Sequence, residues 1–89
     1  MSIHLNIKIY GLVQGVFFRA TAKEKADSLS ITGFAKNMPD GSVFIEVEGE
    51  KKNLDKFVKW CHIGPSIAQV EKVIVTEDKF KNFPQFKTN

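Results

Sequence analysis

The sequence has little of several features that would indicate a secreted or membrane protein. Its single cysteine, Cys61, excludes an internal disulfide framework and is typical of a reducing compartment. No run of apolar residues is longer than three, whereas a transmembrane helix needs about 20. The N-terminus lacks the basic start and apolar stretch of a secretory signal. We therefore expect a cytoplasmic protein that does not associate with membranes.

Charge of one sign is also scarce. Thirteen Lys and Arg residues against ten Asp and Glu residues give a formal net charge of +3. This excess is too small to indicate nucleic-acid binding by itself, although it favours attraction of small anions. Apolar residues, in contrast, make up 43% of the chain and charged residues 26%, as in an ordinary globular domain. We expect residues 1–89 to form one domain, because a chain this short buries only one core.

The first third of the chain predicts a strand followed by a helix. Residues 3–9 alternate between apolar and polar side chains, a period that is typical of a half-buried strand. Gly11 is expected to end this strand. From Phe18 onward the apolar residues recur at helical spacing, which predicts an amphipathic helix over Arg19–Leu29.

The middle of the chain predicts a hairpin. A short strand is expected over Gly33–Asn37, followed by a turn at residues 38–41, where Pro and Gly favour the turn conformation. Alternating apolar residues from Val43 then predict the second arm, which we expect to end at Gly49.

The last third predicts another helix and strand. Apolar residues at helical spacing between Leu54 and Cys61 indicate a second amphipathic helix, which Gly64 and Pro65 are expected to close. A strand is predicted over Val70–Thr76, with a kink because its first two valines are out of phase. Pro84 forbids a central strand near the end of the chain, so at most a short edge strand is expected at residues 86–88.

This order of elements predicts an α+β fold of the ferredoxin-like βαββαβ type. Two helices should cover one face of an antiparallel sheet of four strands, with a possible short C-terminal edge strand. The fold alone does not identify a function, because it carries many.

The loop over residues 11–19 has three features that are unusual for a connector. Its glycines allow the backbone to curl so that several N–H groups point inward. No Ser, Thr, Asp or Asn stands before the helix to cap its first N–H groups. Arg19 lies in the first helical turn, where the helix dipole disfavours a cation. A bound anion would account for all three features. The alternative is a tight turn from which Arg19 reaches into solvent.

Two long motifs resemble the signatures of the acylphosphatase family. Residues 11–19 match G-x-V-Q-G-V-x-F-R at every specified position. Residues 33–49 match G-[aromatic]-[small]-x-N-x-x-x-G-x-V-x-x-x-x-x-G, and the resemblance extends over essentially the whole chain. It implies hydrolysis of acyl phosphates to carboxylate and orthophosphate without a metal or cofactor, with inorganic phosphate as product and inhibitor.

The resemblance also implies roles for individual residues. Arg19 corresponds to the arginine that holds the phosphoryl group, and Asn37 to the asparagine that orients the attacking water. The backbone that cradles the phosphate corresponds to Gln14, Gly15, Val16, Phe17, Phe18 and Arg19. We expect a monomer whose only partner is this small substrate. The chain departs from the family at Ser30, where a glycine is common, so a positive φ there would be mildly strained.

Other reactive side chains have simpler interpretations. His4 and His62 are expected to be surface or helix-end residues, and Cys61 lies on the apolar stripe of the second helix, which disfavours a role as nucleophile. Too few ligands accompany Cys61 and His62 for a metal site.

Two other functions remain open. An RNA-binding module has the same topology, and Phe34 lies in a stretch similar to part of its signature, although Lys36 and Asn37 replace the next aromatic residues. A non-catalytic or carbamoyl-phosphate-binding version of the fold within a larger assembly is the other alternative. The lack of any extension on this chain is expected to disfavour it.

Overall fold

The order of helices and strands agrees with the prediction. The computed structural model of the protein describes residues 2–89. Its elements are β1 (Ser2–Leu12), α1 (Phe18–Ser28), β2 (Thr32–Asn37), β3 (Val43–Glu50), α2 (Lys51–Cys61), β4 (Gln69–Asp78) and β5 (Phe86–Thr88). No helix within these residues is long and apolar enough to cross a membrane.

The strands form one sheet in the order β4-β1-β3-β2-β5. All neighbours are antiparallel except β5, which pairs parallel with β2. The buried side chains of both helices join those of the central strands in a single core, so both helices lie on the same face of the sheet. The ferredoxin-like fold is confirmed, and the C-terminal edge strand makes the sheet a mixed one of five strands.

The end of β1 differs from the prediction. Gly11 does not end the strand but lies within it, at a bulge in the pairing with β4. Tyr10 pairs with Lys72 and Gly11 with Val70, so Glu71 is the additional residue. A Cβ on Gly11 would overlap the backbone carbonyl of the neighbouring strand. The glycine is therefore needed for the close approach of β1 and β4. The bulge corresponds to the kink in β4 that the out-of-phase Val70 and Val73 predicted.

The remaining boundaries lie within about two residues of those expected. β3 continues one residue past Gly49, because nothing at that position interrupts its pairing with β1. Ser30 adopts a φ of 56°, the left-handed conformation that the family resemblance implied. Its neighbour Ile31 donates a backbone hydrogen bond to Ala26 at 2.9 Å, which satisfies a carbonyl at the end of α1.

The prediction for His4 was wrong, because a C-terminal segment covers the face of the sheet that has no helix. Residues 79–85, here called the strap, connect β4 at one edge to β5 at the other edge. The Phe83 ring of the strap lies 5.8 Å from the His4 ring, between centroids, and His4 is 0% exposed. Its Nδ1 atom is 2.8 Å from Glu48 Oε2. His4 is thus a buried, paired residue and not a surface one.

The strap also packs on the aromatic residue that suggested RNA binding. Phe34 lies 5.7 Å from Phe83 and 6.0 Å from Phe44, measured between ring centroids. These contacts make Phe34 part of the packing beneath the strap, so its ring is not a free platform for stacking a base.

Glu48 is the anchor of the strap. Its carboxylate accepts hydrogen bonds from the backbone N–H groups of Lys81 and Phe83 and faces the His4 ring. Burial alone would raise the pKa of this carboxyl. The bonds from Lys81, His4 and Phe83 outweigh burial and hold the pKa below its ordinary value. The ionised form therefore stabilises the folded state.

We predict that docking of the strap weakens in acid. Because the folded pKa of Glu48 is lowered, its contribution is present above the ordinary Glu pKa and is lost as the pH falls through the folded pKa. The free energy of unfolding should therefore decline below about pH 4.5. Glu48→Gln should remove part of this decline, measured by urea unfolding at several pH values.

A matched control is Glu71→Gln, which removes an exposed carboxylate outside the strap. It should leave the acid dependence close to that of the parent protein. If the free energy of unfolding fell with pH equally steeply in the parent protein and in Glu48→Gln, the assignment of Glu48 as anchor would be contradicted.

Candidate active site

A cleft of about 580 Å³ opens beside the start of α1. Three separate parts of the chain meet there: the β1–α1 loop with the start of α1, the end of β2 and the end of β5. Its lining residues are Val13, Gly15, Phe17, Phe18, Arg19, Ala20, Lys23, Glu24, Asp27, Asn37 and Thr88. The residues that the two sequence motifs singled out, Arg19 and Asn37, thus line one cleft although they are separated in the chain.

The loop backbone takes left-handed conformations at two positions. Gly15 has a φ of 74° and Phe17 a φ of 64°. A Cβ on Gly15 would meet nothing within 4 Å, so glycine is required there by conformation and not by space. Left-handed residues in such a turn direct successive N–H groups toward one side, which forms an anion-binding concavity. For a bulky residue such as Phe17 this conformation costs about 1–3 kcal/mol.

The first turn of α1 leaves its N–H groups available. Phe17 is the N-cap residue and makes no capping hydrogen bond with a side chain, as the sequence predicted. No acidic residue lies in the first turn to neutralise the positive end of the helix. Thr21 instead holds the loop to the helix, because its N–H and Oγ1 both donate to the Phe17 carbonyl, at 3.0 and 2.8 Å. The arrangement favours an anion at this helix start.

Arg19 adds a formal positive charge to the same cleft. Its Nη1 atom donates to the backbone oxygen of Asn89 at 2.7 Å, and the Asn89 N–H donates to Ala35 at 2.9 Å. Asn89, which directly follows β5, therefore positions the guanidinium, which has five N–H donors in total. Sequence reasoning missed this contact, because it depends on β5 lying parallel to β2, and no local pattern indicates that pairing.

Asn37 is the last residue of β2, and its side chain is exposed at the cleft. The turn that follows is stabilised by other groups. Asp40 Oδ1 accepts from the Ser42 hydroxyl at 2.5 Å and from the Ser42 N–H at 2.9 Å, and these bonds hold the pKa of the Asp40 carboxyl below its ordinary value. The Met38 N–H donates to the Ser42 carbonyl at 2.8 Å. The turn therefore has its own stabilising bonds, which leaves the Asn37 amide for the cleft.

Two of the residues expected in the phosphate cradle direct their side chains elsewhere. Gln14 Nε2 donates to the carbonyls of Met38 and Ser42, at 2.8 and 2.9 Å, and Val16 is buried in the core. Neither side chain lines the cleft. Gln14 instead ties the β1–α1 loop to the β2–β3 turn, so it fixes the distance between the two motifs.

We predict that this tie contributes to stability. Gln14→Glu keeps the size of the side chain but removes both N–H donors and places a charge against two carbonyls. The free energy of unfolding should fall by about 1–3 kcal/mol, because two hydrogen bonds are lost, although each carbonyl keeps one backbone N–H partner. Denaturant titration measures this, with Gln69→Glu at an exposed position as the matched control. An equal effect of the two substitutions would contradict the role of Gln14.

The other reactive side chains stand apart from the cleft. Cys61 is fully buried in the core, and burial raises the pKa of its thiol. His62 is exposed at the end of α2, where its Nδ1 lies 3.0 Å from the Val58 carbonyl. Within residues 2–89, no group of three or more His, Cys, Asp or Glu side chains is arranged to hold a metal ion.

The comparisons with known proteins all indicate the same family. The acylphosphatase family model matches residues 5–88. The chain is 45% identical over 74 residues to an acylphosphatase of Rubrobacter xylanophilus, covering 83% of this chain and 67% of that protein. It is 40% identical to one from Marinobacter nauticus, covering 93% and 91%. The structure is similar to that of an acylphosphatase from Coxiella burnetii, with a TM-score of 0.96 and 31% identity, over 99% of this chain and 93% of that one.

Proposed function

The chain belongs to the acylphosphatase family, and from this premise we propose that it hydrolyses acyl phosphates in the cleft beside α1. An acyl phosphate and water give a carboxylate and orthophosphate, by cleavage of the bond between phosphorus and the acyl oxygen. The carboxylate is a good leaving group and needs little help from an acid. The observation that carries the proposal is that the cleft joins the curled loop, the uncapped helix start, Arg19 and Asn37.

The phosphoryl group is held by the loop and by Arg19. Its negative oxygens accept hydrogen bonds from the backbone N–H groups of residues 14–19, and the left-handed conformations of Gly15 and Phe17 favour such a concavity. Arg19 contributes a planar fork of donors that suits two phosphoryl oxygens at once. Phosphoryl transfer depends mainly on positioning and charge stabilisation, and these groups supply both.

Asn37 orients the attacking water. An amide is not a base at neutral pH, but its oxygen accepts a hydrogen bond from water and its nitrogen donates one. From the end of β2 it faces the same cleft as Arg19. The water oxygen forms a new bond to phosphorus while the bond to the acyl oxygen breaks. The bound phosphoryl group accepts the proton that the water releases, so no further base is required.

The test is phosphate release from benzoyl phosphate in the presence of a chelator, with 4-nitrophenyl phosphate as the control substrate. The proposal predicts hydrolysis of the acyl phosphate, no hydrolysis of the monoester, and competitive inhibition by inorganic phosphate. Loss of activity on chelation, with recovery after addition of a divalent ion, would contradict the metal-free mechanism. Absence of benzoyl phosphate hydrolysis would contradict the function itself.

A further inference from the structure

Phe17 combines two features that folding alone does not explain. Its side chain is 73% exposed, the highest exposure among the large apolar residues that the structure describes as exposed. Its backbone has a φ of 64°, a conformation for which Gly or Asn would be the ordinary choice. A bulky residue that is both strained and exposed adds little to the core, so its ring is available for something that enters the cleft it lines.

The cleft has room beyond a phosphoryl group. At about 580 Å³ it lies within the range of sites that bind small molecules, and it extends along the exposed side of α1. Phe17 carries one of the backbone N–H groups of the cradle, so its ring begins next to the bound phosphoryl group. The acyl carbon of a substrate is only two bonds from phosphorus, which places the acyl group within reach of that ring.

The part of the cleft beyond Arg19, which residues 23–27 of α1 form, disfavours an anionic acyl group. It carries one cationic side chain, Lys23, against two anionic ones, Glu24 and Asp27. Lys23 already pairs with Asp27, with Nζ and Oδ2 2.9 Å apart. This part of the cleft therefore has one unmatched carboxylate, which repels a second negative charge on the substrate and leaves uncharged acyl groups preferred.

We propose that the Phe17 ring is the contact surface for the acyl group and selects acyl phosphates whose acyl part is uncharged and aromatic. This rests on the proposed function and adds the substrate class. An aromatic ring of the substrate packs against the Phe17 ring, which removes apolar surface of both from water. A small acyl group such as acetyl gains little from the same contact.

The test compares benzoyl phosphate with acetyl phosphate in three variants. Phe17→Ala removes the ring but keeps the backbone N–H and a similar backbone strain, so any effect on the cradle acts on both substrates and cancels in their ratio. Phe17→Tyr keeps an aromatic ring. Phe80→Ala is the matched control, because Phe80 is 51% exposed on the strap, outside the cleft.

The ratio of kcat/KM for benzoyl to acetyl phosphate should fall about tenfold in Phe17→Ala. It should stay near that of the parent protein in Phe17→Tyr and Phe80→Ala. A ratio that changes by less than twofold in Phe17→Ala, with both substrates hydrolysed, overturns the inference and leaves the proposed function standing. No hydrolysis of either substrate by the parent protein overturns both. If Phe17→Ala does not fold, Phe17→Asn, which tolerates the left-handed conformation, provides the same comparison.

Discussion

Replacing Arg19 by alanine is expected to lower kcat/KM for an acyl phosphate by about 10³-fold or more, the order seen when an arginine is removed from a phosphoryl-transfer site. The guanidinium is the only formal positive charge that the β1–α1 loop and the first turn of α1 bring to the cleft. In the proposed mechanism it contacts the phosphoryl group in both the bound substrate and the transition state. Inhibition by inorganic phosphate should therefore weaken together with turnover.

Arg19→Lys is the matched variant for this prediction. It keeps the charge but loses the fork that contacts two oxygens, and it cannot reproduce the donor geometry toward Asn89. Activity should be recovered only in part. Steady-state kinetics with phosphate as inhibitor measures both effects, and an Arg19→Ala protein that binds phosphate as tightly as the parent would show that the guanidinium lies outside the site.

Asn37→Ala is expected to lower kcat by about 10²-fold to 10³-fold, comparable to the loss of one positioned hydrogen-bonding group. Because the amide is uncharged, it adds little to the binding of a dianionic phosphoryl group. Its proposed partner is the attacking water, whose position matters as the attack begins. KM and the phosphate inhibition constant should change much less than kcat.

The competing explanation is that Asn37 only shapes the β2–β3 turn. That explanation predicts lower stability with near-normal kcat. Asp40→Ala is the control for this explanation, because the Asp40 carboxylate accepts the two hydrogen bonds from Ser42 that stabilise the turn. We expect Asp40→Ala to shift the denaturant midpoint with little change in kcat, and Asn37→Ala to do the reverse. A shifted midpoint with intact kcat in Asn37→Ala would remove this residue from the catalytic mechanism.

The fold and the position of the cleft could be predicted because local patterns determine them. The period changes from two to helical spacing around the β1–α1 loop, and this fixes where Arg19 lies in α1. The same patterns end β2 at Asn37. The missing cap before α1 could also be read directly, since capping depends on a single side chain.

Other features could not be predicted, because they depend on contacts between distant segments. His4 lies on the polar side of an alternating strand, which ordinarily faces water, but the strap and the Glu48 side chain cover it. The strap itself follows from the position of β5 beside β2, which no periodicity indicates. The contact between Arg19 and Asn89 depends on the same pairing. The strain at Phe17 requires a backbone angle that a phenylalanine does not suggest.

The central claim is that this cleft directs a water molecule at phosphorus, and isotope labelling tests it most directly. Benzoyl phosphate is hydrolysed by the protein in water enriched in ¹⁸O, and both products are analysed by mass spectrometry. Attack at phosphorus, with Arg19 and the loop holding the phosphoryl group, predicts that the label appears in orthophosphate. Label in benzoate would show attack at the acyl carbon and would contradict the account.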